Sequence, residues 1–468
     1  MNEMSTQHSV DRVPSLRLRR PPLKSATRLP VFAAFLLGSF SSHAVDFGPD
    51  GMFSLTGFAK VTLGAQTNYC KNCQMADSNV SKQIRAADAI APGQSIDSAN
   101  NMTWIVHPYL TARKNLGGGY ELSGMLSQRW RDSRVNGQPI EARYGGKVDV
   151  PNYWYDKNIA IKHDDYGSAR IGSMTTRSWA LADYPYGTNI GLADAWANSG
   201  AGYGMLANAV RLGTPMLDVA EGDLYLEMSY DRGNDKYKRL SPYLLELYAQ
   251  YHKGDLVVDA IYQNAVNGGP GAWGHAPFSA ITPYTQDDAY KATDGTQFGS
   301  NRQSIVMVMA RYQYNTQIEL TGGIRRNLWS GNDLVFNPAT QWTAGFNVGY
   351  ANPLGPYPGY SANSLDYMFG VRYRSGKWIY SAGGVYLGKA YTSNPSERGQ
   401  SNSALINTLG ARYEYSKNIQ LEAIVGNVSY LRQGLAPMSM PGNSSFTNVD
   451  SRIAKDGQWV SVGFVYLF

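Results

Sequence analysis

The chain ends in the stretch QWVSVGFVYLF, residues 458–468, and this stretch decides how the rest of the sequence is interpreted. Apolar and aromatic residues occupy every second position of it, namely Val460, Val462, Phe464, Tyr466 and Phe468. A period of two belongs to a β-strand, because successive side chains of a strand point to opposite faces. Chain ends of soluble domains usually fray. An aromatic face at this position must therefore be covered by something, and membrane lipid is the simplest candidate. The last strand of a soluble β-sandwich is the alternative.

The composition favours strands as the elements that would cross a membrane. The chain has 468 residues, of which 49 are glycine and 33 tyrosine, and its mean hydropathy is -0.35. After the amino-terminal region, no apolar run of the sequence approaches the roughly 20 residues that a spanning helix needs. Strands can cross only when they close into a barrel, because an open sheet edge would leave backbone groups unpaired in hydrocarbon. The sequence therefore predicts an all-β fold, a transmembrane antiparallel up-and-down β-barrel.

The amino terminus has the pattern of an export signal. The apolar segment 29–40 directly follows a basic stretch that contains Arg17, Arg19, Arg20, Lys24 and Arg28. Ser42-His43-Ala44 follows as a small-x-small cleavage site, so we expect residues 1–44 to be a cleaved signal peptide and residues 45–468 a single barrel domain. The pair Arg19-Arg20 also fits a twin-arginine signal, but Pro21-Pro22 interrupts the apolar continuation of that motif, which favours general secretion. Removing residues 1–44 lowers the formal net charge from +6 to +2, because six cations and two acids leave, and this balance gives no reason to expect nucleic acid as a partner.

Hairpins repeat along the rest of the chain. From residue 53 onward, alternating segments of about ten residues are joined in turn by very short and by long polar connections, which is the pattern of an outer-membrane barrel. The short connections, such as residues 115–119, 253–255 and 416–418, consist mainly of the Gly, Asn, Asp and Ser residues that tight turns need. The strand count is about 16 if residues 342–350 stay within an external loop. That segment also alternates, and the count becomes about 18 if it spans.

Two segments carry a family resemblance. LGARYEYSK at residues 409–417 resembles the late hairpin of the Gram-negative general (non-specific) porins, and YGSARIG at residues 166–172 is similar to the strand that precedes their constriction loop. The resemblance implies a homotrimeric outer-membrane channel of 16 strands for the passive diffusion of small hydrophilic solutes and ions. It also implies surrounding lipid and lipopolysaccharide, and a barrel-assembly machinery that reads the carboxy-terminal signal of Phe464, Tyr466 and Phe468.

The same resemblance places a constriction in the third external loop, residues 175–207, which folds into the pore in that family. This loop contains Arg177, Asp183 and Asp194 as candidate constriction residues. In the family, acidic residues of the loop face a basic cluster on the barrel wall, for which the candidates here are Lys60, Arg113, Arg129, Arg131 and Arg170. The loop has no dense acidic cluster, which departs from the family pattern. The alternative is that Asp183 and Asp194 cap turns or face the external water.

Other motifs give weaker signals. Cys70 and Cys73 are the only cysteines, and the oxidising periplasm favours a disulfide between them over free thiols, although a four-residue ring is small and strained. Zinc would need more ligands, and the histidines are scattered, so we expect no metal site and no cofactor. No phosphate-binding loop or serine-hydrolase motif occurs, so we expect no catalytic residues. Tyrosine and tryptophan near strand ends fit a girdle at the lipid headgroups, with a sugar-stacking path as the alternative.

These observations favour a passive porin. A channel specific for one acid or sugar differs from it only in the lining of the lumen. An outer-membrane barrel enzyme, a protease or lipase, is a further alternative, and it would need a nucleophile or an activated water beside a base.

Overall fold

Sixteen strands form a closed antiparallel barrel in the computed structural model, which describes residues 45–67, 98–135, 138–139, 154–233, 242–266, 278, 301–331, 334–337, 342–345, 360–389, 391–392, 403–430 and 457–468. Each strand pairs with its sequence neighbour, and the last pairs with the first. The strands are β1 (Phe53–Thr67), β2 (Ser98–Gly117), β3 (Tyr120–Gln128, resumed after Arg129 as Trp130–Val135), β4 (Trp154–His163), β5 (Gly167–Thr175), β6 (Met205–Gly213), β7 (Gly222–Asp231), β8 (Tyr243–Lys253), β9 (Leu256–Val266), β10 (Asn301–Gln313), β11 (Ile318–Gly331), β12 (Tyr360–Ser375), β13 (Trp378–Leu387), β14 (Ala404–Glu414), β15 (Ile419–Tyr430) and β16 (Gly457–Leu467). The predicted all-β barrel is confirmed.

The strand count of 16, and not 18, is also confirmed. Trp342–Gly345 pairs with Leu334–Asn337 in a separate two-stranded sheet, so this part of the ambiguous segment belongs to a loop hairpin. Four further short strands pair with parts of the barrel strands, and they are Val45–Phe47, Gln138–Pro139, Leu217–Val219 and Tyr391–Thr392. The expected signal peptide, Cys70 and Cys73 lie outside the described residues.

The seam between β1 and β16 closes the barrel at the last residue of the chain. The two strands pair from Phe58 opposite Leu467 to Thr67 opposite Gln458. Beyond that ladder, the Phe468 N–H donates to the Gly57 carbonyl at 3.0 Å, and the Gly57 N–H donates to the Phe468 carbonyl at 2.7 Å. A Cβ at Gly57 would lie 2.5 Å from the His107 carbonyl oxygen, so this close approach requires glycine. The backbone pairing therefore continues to the end of the chain, which leaves no open edge there.

The outer face of the barrel is apolar. On β16, the side chains of Val460, Val462, Phe464 and Tyr466 are exposed, which confirms the face predicted from the sequence. Exposed aromatic residues mark the end of the barrel that carries the short turns, among them Tyr120, Tyr166, Tyr312, Tyr373, Trp378 and Tyr415. A belt of this kind is typical of the boundary between lipid headgroups and hydrocarbon. Among the described residues, no helix is both long and apolar enough to cross a membrane.

The inner face carries the buried polar and charged residues. Buried charged residues lie on the strand face opposite to the exposed apolar row, or at a break in a strand. They are Lys60, Arg129, Glu227, Asp259 and Asp366. The alternation along the strands thus places apolar side chains outside and the charged ones inside, where apolar residues such as Met307 and Met309 also pack against the third loop. This arrangement suits an outer surface in lipid and a hydrated interior.

The connection between β5 and β6 folds into the barrel, as the family resemblance implied. It contains α1 (Arg177–Leu181), a π-type segment (Ala182–Gly187) and α2 (Ala193–Trp196). We refer to residues 176–204 as the third loop. Thr176 begins α1, because its hydroxyl accepts a hydrogen bond from the Trp179 N–H at 3.2 Å. Tyr186, Ile190, Trp196 and Tyr203 of the loop are fully buried against the inner wall.

Candidate functional site

The third loop is held against the acidic side chains of β7, β8 and β9, which we call the acidic wall. Arg177 donates to both carboxylate oxygens of Glu227, from Nε at 2.7 Å and from Nη2 at 2.5 Å. Arg211 of β6 pairs with the same carboxylate at 3.1 Å. Burial lowers the pKa of the Arg177 guanidinium, but the Glu227 carboxylate more than offsets this and raises the pKa well above its ordinary value. Arg177 is therefore a permanently charged anchor of the loop, not a side chain that projects freely into the lumen.

Two further wall residues complete this anchor. The Glu246 carboxylate accepts hydrogen bonds from the backbone N–H groups of Arg177 at 2.6 Å and Ser178 at 3.1 Å. These N–H groups begin α1 and have no partner inside the helix, so a carboxylate stabilises them. Gln263 donates to Glu246 at 3.0 Å and accepts from the Tyr203 N–H at 2.7 Å, so it joins the two ends of the loop to β9.

The π-type segment reaches the same wall through Tyr186. Its hydroxyl donates to Asp259 at 2.7 Å, and the same carboxylate accepts from the Tyr248 hydroxyl at 2.8 Å and the Gln250 amide at 2.9 Å. Burial raises the pKa of the Tyr186 phenol, and the charge of Asp259 raises it further. The phenol therefore stays neutral and remains a donor, and Asp259 has three partners.

A second anchor holds the returning half of the loop to β11 and β12. Arg325 donates to the carbonyl oxygens of Trp196 at 2.6 Å and Ser199 at 3.0 Å, and its guanidinium lies 4.7 Å from the centre of the Trp196 ring. The positive charge is balanced by Asp366 at 2.8 Å. Asn327 accepts from the Ala201 N–H at 3.0 Å.

A third contact carries the loop further around the wall, to β12, β13 and β14. Ile190 fits against Gly370 and Gly383, at each of which a Cβ would lie 2.6 Å from an Ile190 carbon. The Thr408 hydroxyl donates to the Ile190 carbonyl oxygen at 2.5 Å. These two glycines form a notch for one loop side chain, which we call the glycine notch. The loop therefore lies along the inner wall from β7 to β14.

Of the two acidic loop residues predicted to line the constriction, one is buried and the side chain of the other lies outside the described residues. Asp183 is only 1% exposed and accepts a hydrogen bond from the Thr188 hydroxyl at 2.8 Å. Asp194 belongs to α2, and its side chain lies outside the described residues. Their role in a constriction stays a prediction.

The predicted basic wall on β1 to β5 is spread over the height of the barrel. Lys60 is buried and pairs with Glu422 of β15 at 2.5 Å, and Arg170 donates to Asn158 at 2.7 Å. Arg113 is exposed near the short-turn end. Arg129 is buried at the break in β3. Arg131 follows in the resumed part of β3, and its side chain lies outside the described residues.

A second basic group, which was not predicted from the sequence, lies on β10, β12 and β14. Arg311, Arg372, Arg374 and Arg412 face inward and are partly exposed to the lumen; we call them the basic strip. Tyr184 of the loop lies near three of them. Burial raises the pKa of this phenol, while the positive charges of Arg372, Arg412 and Arg311 act in the opposite direction.

The signal for the basic strip was present in the sequence. Arg372 and Arg374 occupy alternate positions before the turn at residues 376–377, and Arg412 lies in one of the two segments that carry the family resemblance. The strand period would have placed all three on the inner row.

No family model and no curated protein matches this sequence. Solved structures do match the fold. An anion-selective porin from Comamonas acidovorans has a TM-score of 0.52 at 12% identity, over 89% of this chain and 99% of that chain. OmpT, an outer membrane protein of Vibrio cholerae, has a TM-score of 0.50 at 13% identity, over 91% and 100%. OmpF of Salmonella typhi, solved with daunomycin, has a TM-score of 0.50 at 14% identity, over 89% and 98%. With its closed 16-stranded barrel and inward third loop, the chain has the fold of outer-membrane porins.

Proposed function

We propose that the protein is an outer-membrane porin, a water-filled channel through which small hydrophilic solutes and ions diffuse passively. The observation that carries this proposal is the polarity of the barrel, which has an apolar exterior and charged residues on the inner wall. A barrel of 16 strands is wide enough to leave an aqueous path. The three contacts of the third loop narrow that path at a fixed place, so solutes are sorted by size and charge.

The proposal includes a location and an assembly route. Residues 1–44 direct export and are cleaved, and the barrel-assembly machinery inserts the mature chain into the outer membrane. The seam that ends at Phe468 and the outward row with Phe464 and Tyr466 support this route. The short turns then lie in the periplasm and the long loops outside, with lipid and lipopolysaccharide around the barrel. We further propose a homotrimer, by analogy with the resemblance noted in the sequence.

Reconstitution into planar lipid bilayers tests the channel function. The mature protein is folded in detergent. Folding is checked by electrophoresis, in which an unheated folded barrel migrates differently from a boiled sample. We expect stepwise single-channel currents whose size rises in proportion to the conductivity of the salt solution. A folded barrel that gives no current contradicts the proposal.

An enzyme assay on the same preparation tests the alternative class. A barrel protease or lipase would cleave a peptide or an ester, and replacement of a single Ser, His or Asp would abolish that cleavage. Such turnover by a folded protein that passes no current would replace the porin proposal.

A further inference from the structure

The charged residues of the lumen divide into a covered group and an accessible group. On the acidic wall, Glu227, Glu246 and Asp259 are buried beneath the third loop and are used by its anchors. Across the remaining lumen, the side chains of the basic strip are 12–36% exposed. A permeating solute therefore meets the arginines of the strip and is kept away from the acidic wall.

The accessible group has more positive than negative charge. Its cations are the four arginines of the basic strip, and its carboxylates are Glu319 and Glu414. Four cations against two carboxylates give a net charge of +2. Glu319 is shared, because it lies 3.0 Å from Arg372 and 3.9 Å from Arg311. One shared carboxylate leaves part of the charge of these two arginines uncompensated.

Unused hydrogen-bond donors lie within this group. Arg311 Nε, Arg372 Nε and the Thr321 hydroxyl are buried atoms without a hydrogen-bond partner among the described residues. Arg311 and Thr321 are directly opposite each other on β10 and β11, and Arg372 is opposite Glu319 on the neighbouring strand pair. Buried donors without a partner are costly and usually bind a water molecule or an ion.

We propose that the basic strip is a binding subsite for solutes that carry a carboxylate group, and that it makes the channel favour anions. This inference rests on the proposed porin function and assigns it a class of solute. A guanidinium presents its N–H donors in a planar fork that matches the two oxygens of a carboxylate. Arg311 and Arg372 already hold Glu319 between them, and a solute carboxylate bound beside Glu319 would contact the accessible parts of these side chains, which are 21% and 18% exposed. The partial exposure of the strip keeps this binding weak enough for the solute to leave, as conduction requires.

Reversal potentials and current block test the subsite in the full-length mature protein. A potassium chloride gradient across a planar bilayer gives the anion-to-cation permeability ratio, and added potassium succinate gives the block of the chloride current. We expect a ratio above one and a saturable block by succinate. In the double variant Arg311→Gln and Arg372→Gln, the net charge of the group falls from +2 to 0, and we expect the ratio to fall to one or below and the block to weaken by about tenfold or more.

Two further variants separate the subsite from general effects. Arg326→Gln removes an exposed arginine from the outer face of β11, opposite the exposed Val306, and should change neither quantity. Arg372→Lys keeps the positive charge but loses the planar fork of donors, so it should keep the permeability ratio and weaken the block. Because it is a conservative change, it also tests the subsite if the double variant does not fold.

The outcomes distinguish the two proposals. A wild-type channel that conducts but prefers cations, or one that succinate blocks equally in the wild type and in the double variant, overturns the subsite and leaves the porin function standing. A folded wild-type barrel without any current overturns the porin function itself.

Discussion

The acidic wall and the basic strip use the same chemistry, arginine paired with carboxylate, in different surroundings. The pair of Arg177 and Glu227 is almost fully buried, with side chains 4% and 1% exposed, whereas in the pair of Arg374 and Glu414 they are 36% and 27% exposed. A buried pair must be complete, because a remaining partner would be an uncompensated charge in a medium of low dielectric constant. An exposed pair can open toward water or a solute at little cost. The comparison indicates that one wall fixes the loop and the other meets the solute.

Removing a carboxylate from the acidic wall should have the largest effect. Glu227→Gln leaves Arg177 and Arg211 buried without their shared negative charge, and breaking a buried pair in this way costs about 3–5 kcal/mol. We expect the third loop to detach, which would lower the free energy of unfolding in a urea titration and make residues 176–204 accessible to added protease. Unchanged stability and unchanged protease resistance would mean that the loop does not depend on this pair.

Filling the glycine notch should have an intermediate effect. Gly383→Ala places a Cβ 2.6 Å from Ile190, and overpacking of this kind costs about 1–3 kcal/mol. The displaced loop should change the single-channel conductance. The second replacement Ile190→Gly should restore it, because it removes both the Cδ1 and the Cβ of Ile190, which lie 2.6 Å and 2.9 Å from the new methyl group. Gly322→Ala is the matched control, because its Cβ would be 3.8 Å from its nearest neighbour, the Met368 carbonyl oxygen. Equal effects of the two alanine variants would show that the notch does not position the loop.

Breaking an exposed pair should have a small effect on stability. Glu414→Gln removes the partner of Arg374, and exposed pairs contribute about 0–1 kcal/mol. The urea midpoint should therefore stay close to that of the wild type, while the released positive charge should raise the anion-to-cation permeability ratio. A loss of stability as large as that of Glu227→Gln would remove the distinction between the two walls.

The barrel could be predicted from the sequence because its signals are local. The alternating row of β16 and the Gly, Asn, Asp and Ser residues of the turns are each contained in about ten residues, and the strand period assigns each side chain to one face. The pairing of residues 342–345 could be determined only from the structure, since a segment with this alternation can pair in the barrel or in a loop hairpin.

The site could be predicted only in part, because its contacts are distant in sequence. Arg177 was identified as a loop residue, but nothing near it indicates that Glu227, 50 residues later, holds its guanidinium. The glycine notch is equally invisible, since Gly370 and Gly383 acquire their role only when Ile190 lies between them. Arg372 and Arg374 could have been found from strand parity, whereas the family resemblance directed attention to β1–β5.

The smallest effect should come from the loop acid that the resemblance singled out. Asp183→Asn keeps an oxygen that can accept the hydrogen bond of Thr188, and the carboxylate it replaces is 1% exposed. Because no permeating ion can touch that carboxylate, and because salt in the lumen screens charges over about 8–10 Å, we expect the same reversal potential as in the wild type. Arg372→Gln, measured in the same potassium chloride gradient, should shift it toward cations. If Asp183→Asn instead shifts permeability toward anions, the loop acid takes part in the constriction and the acidic side of the lumen is not as fully covered as its burial indicates.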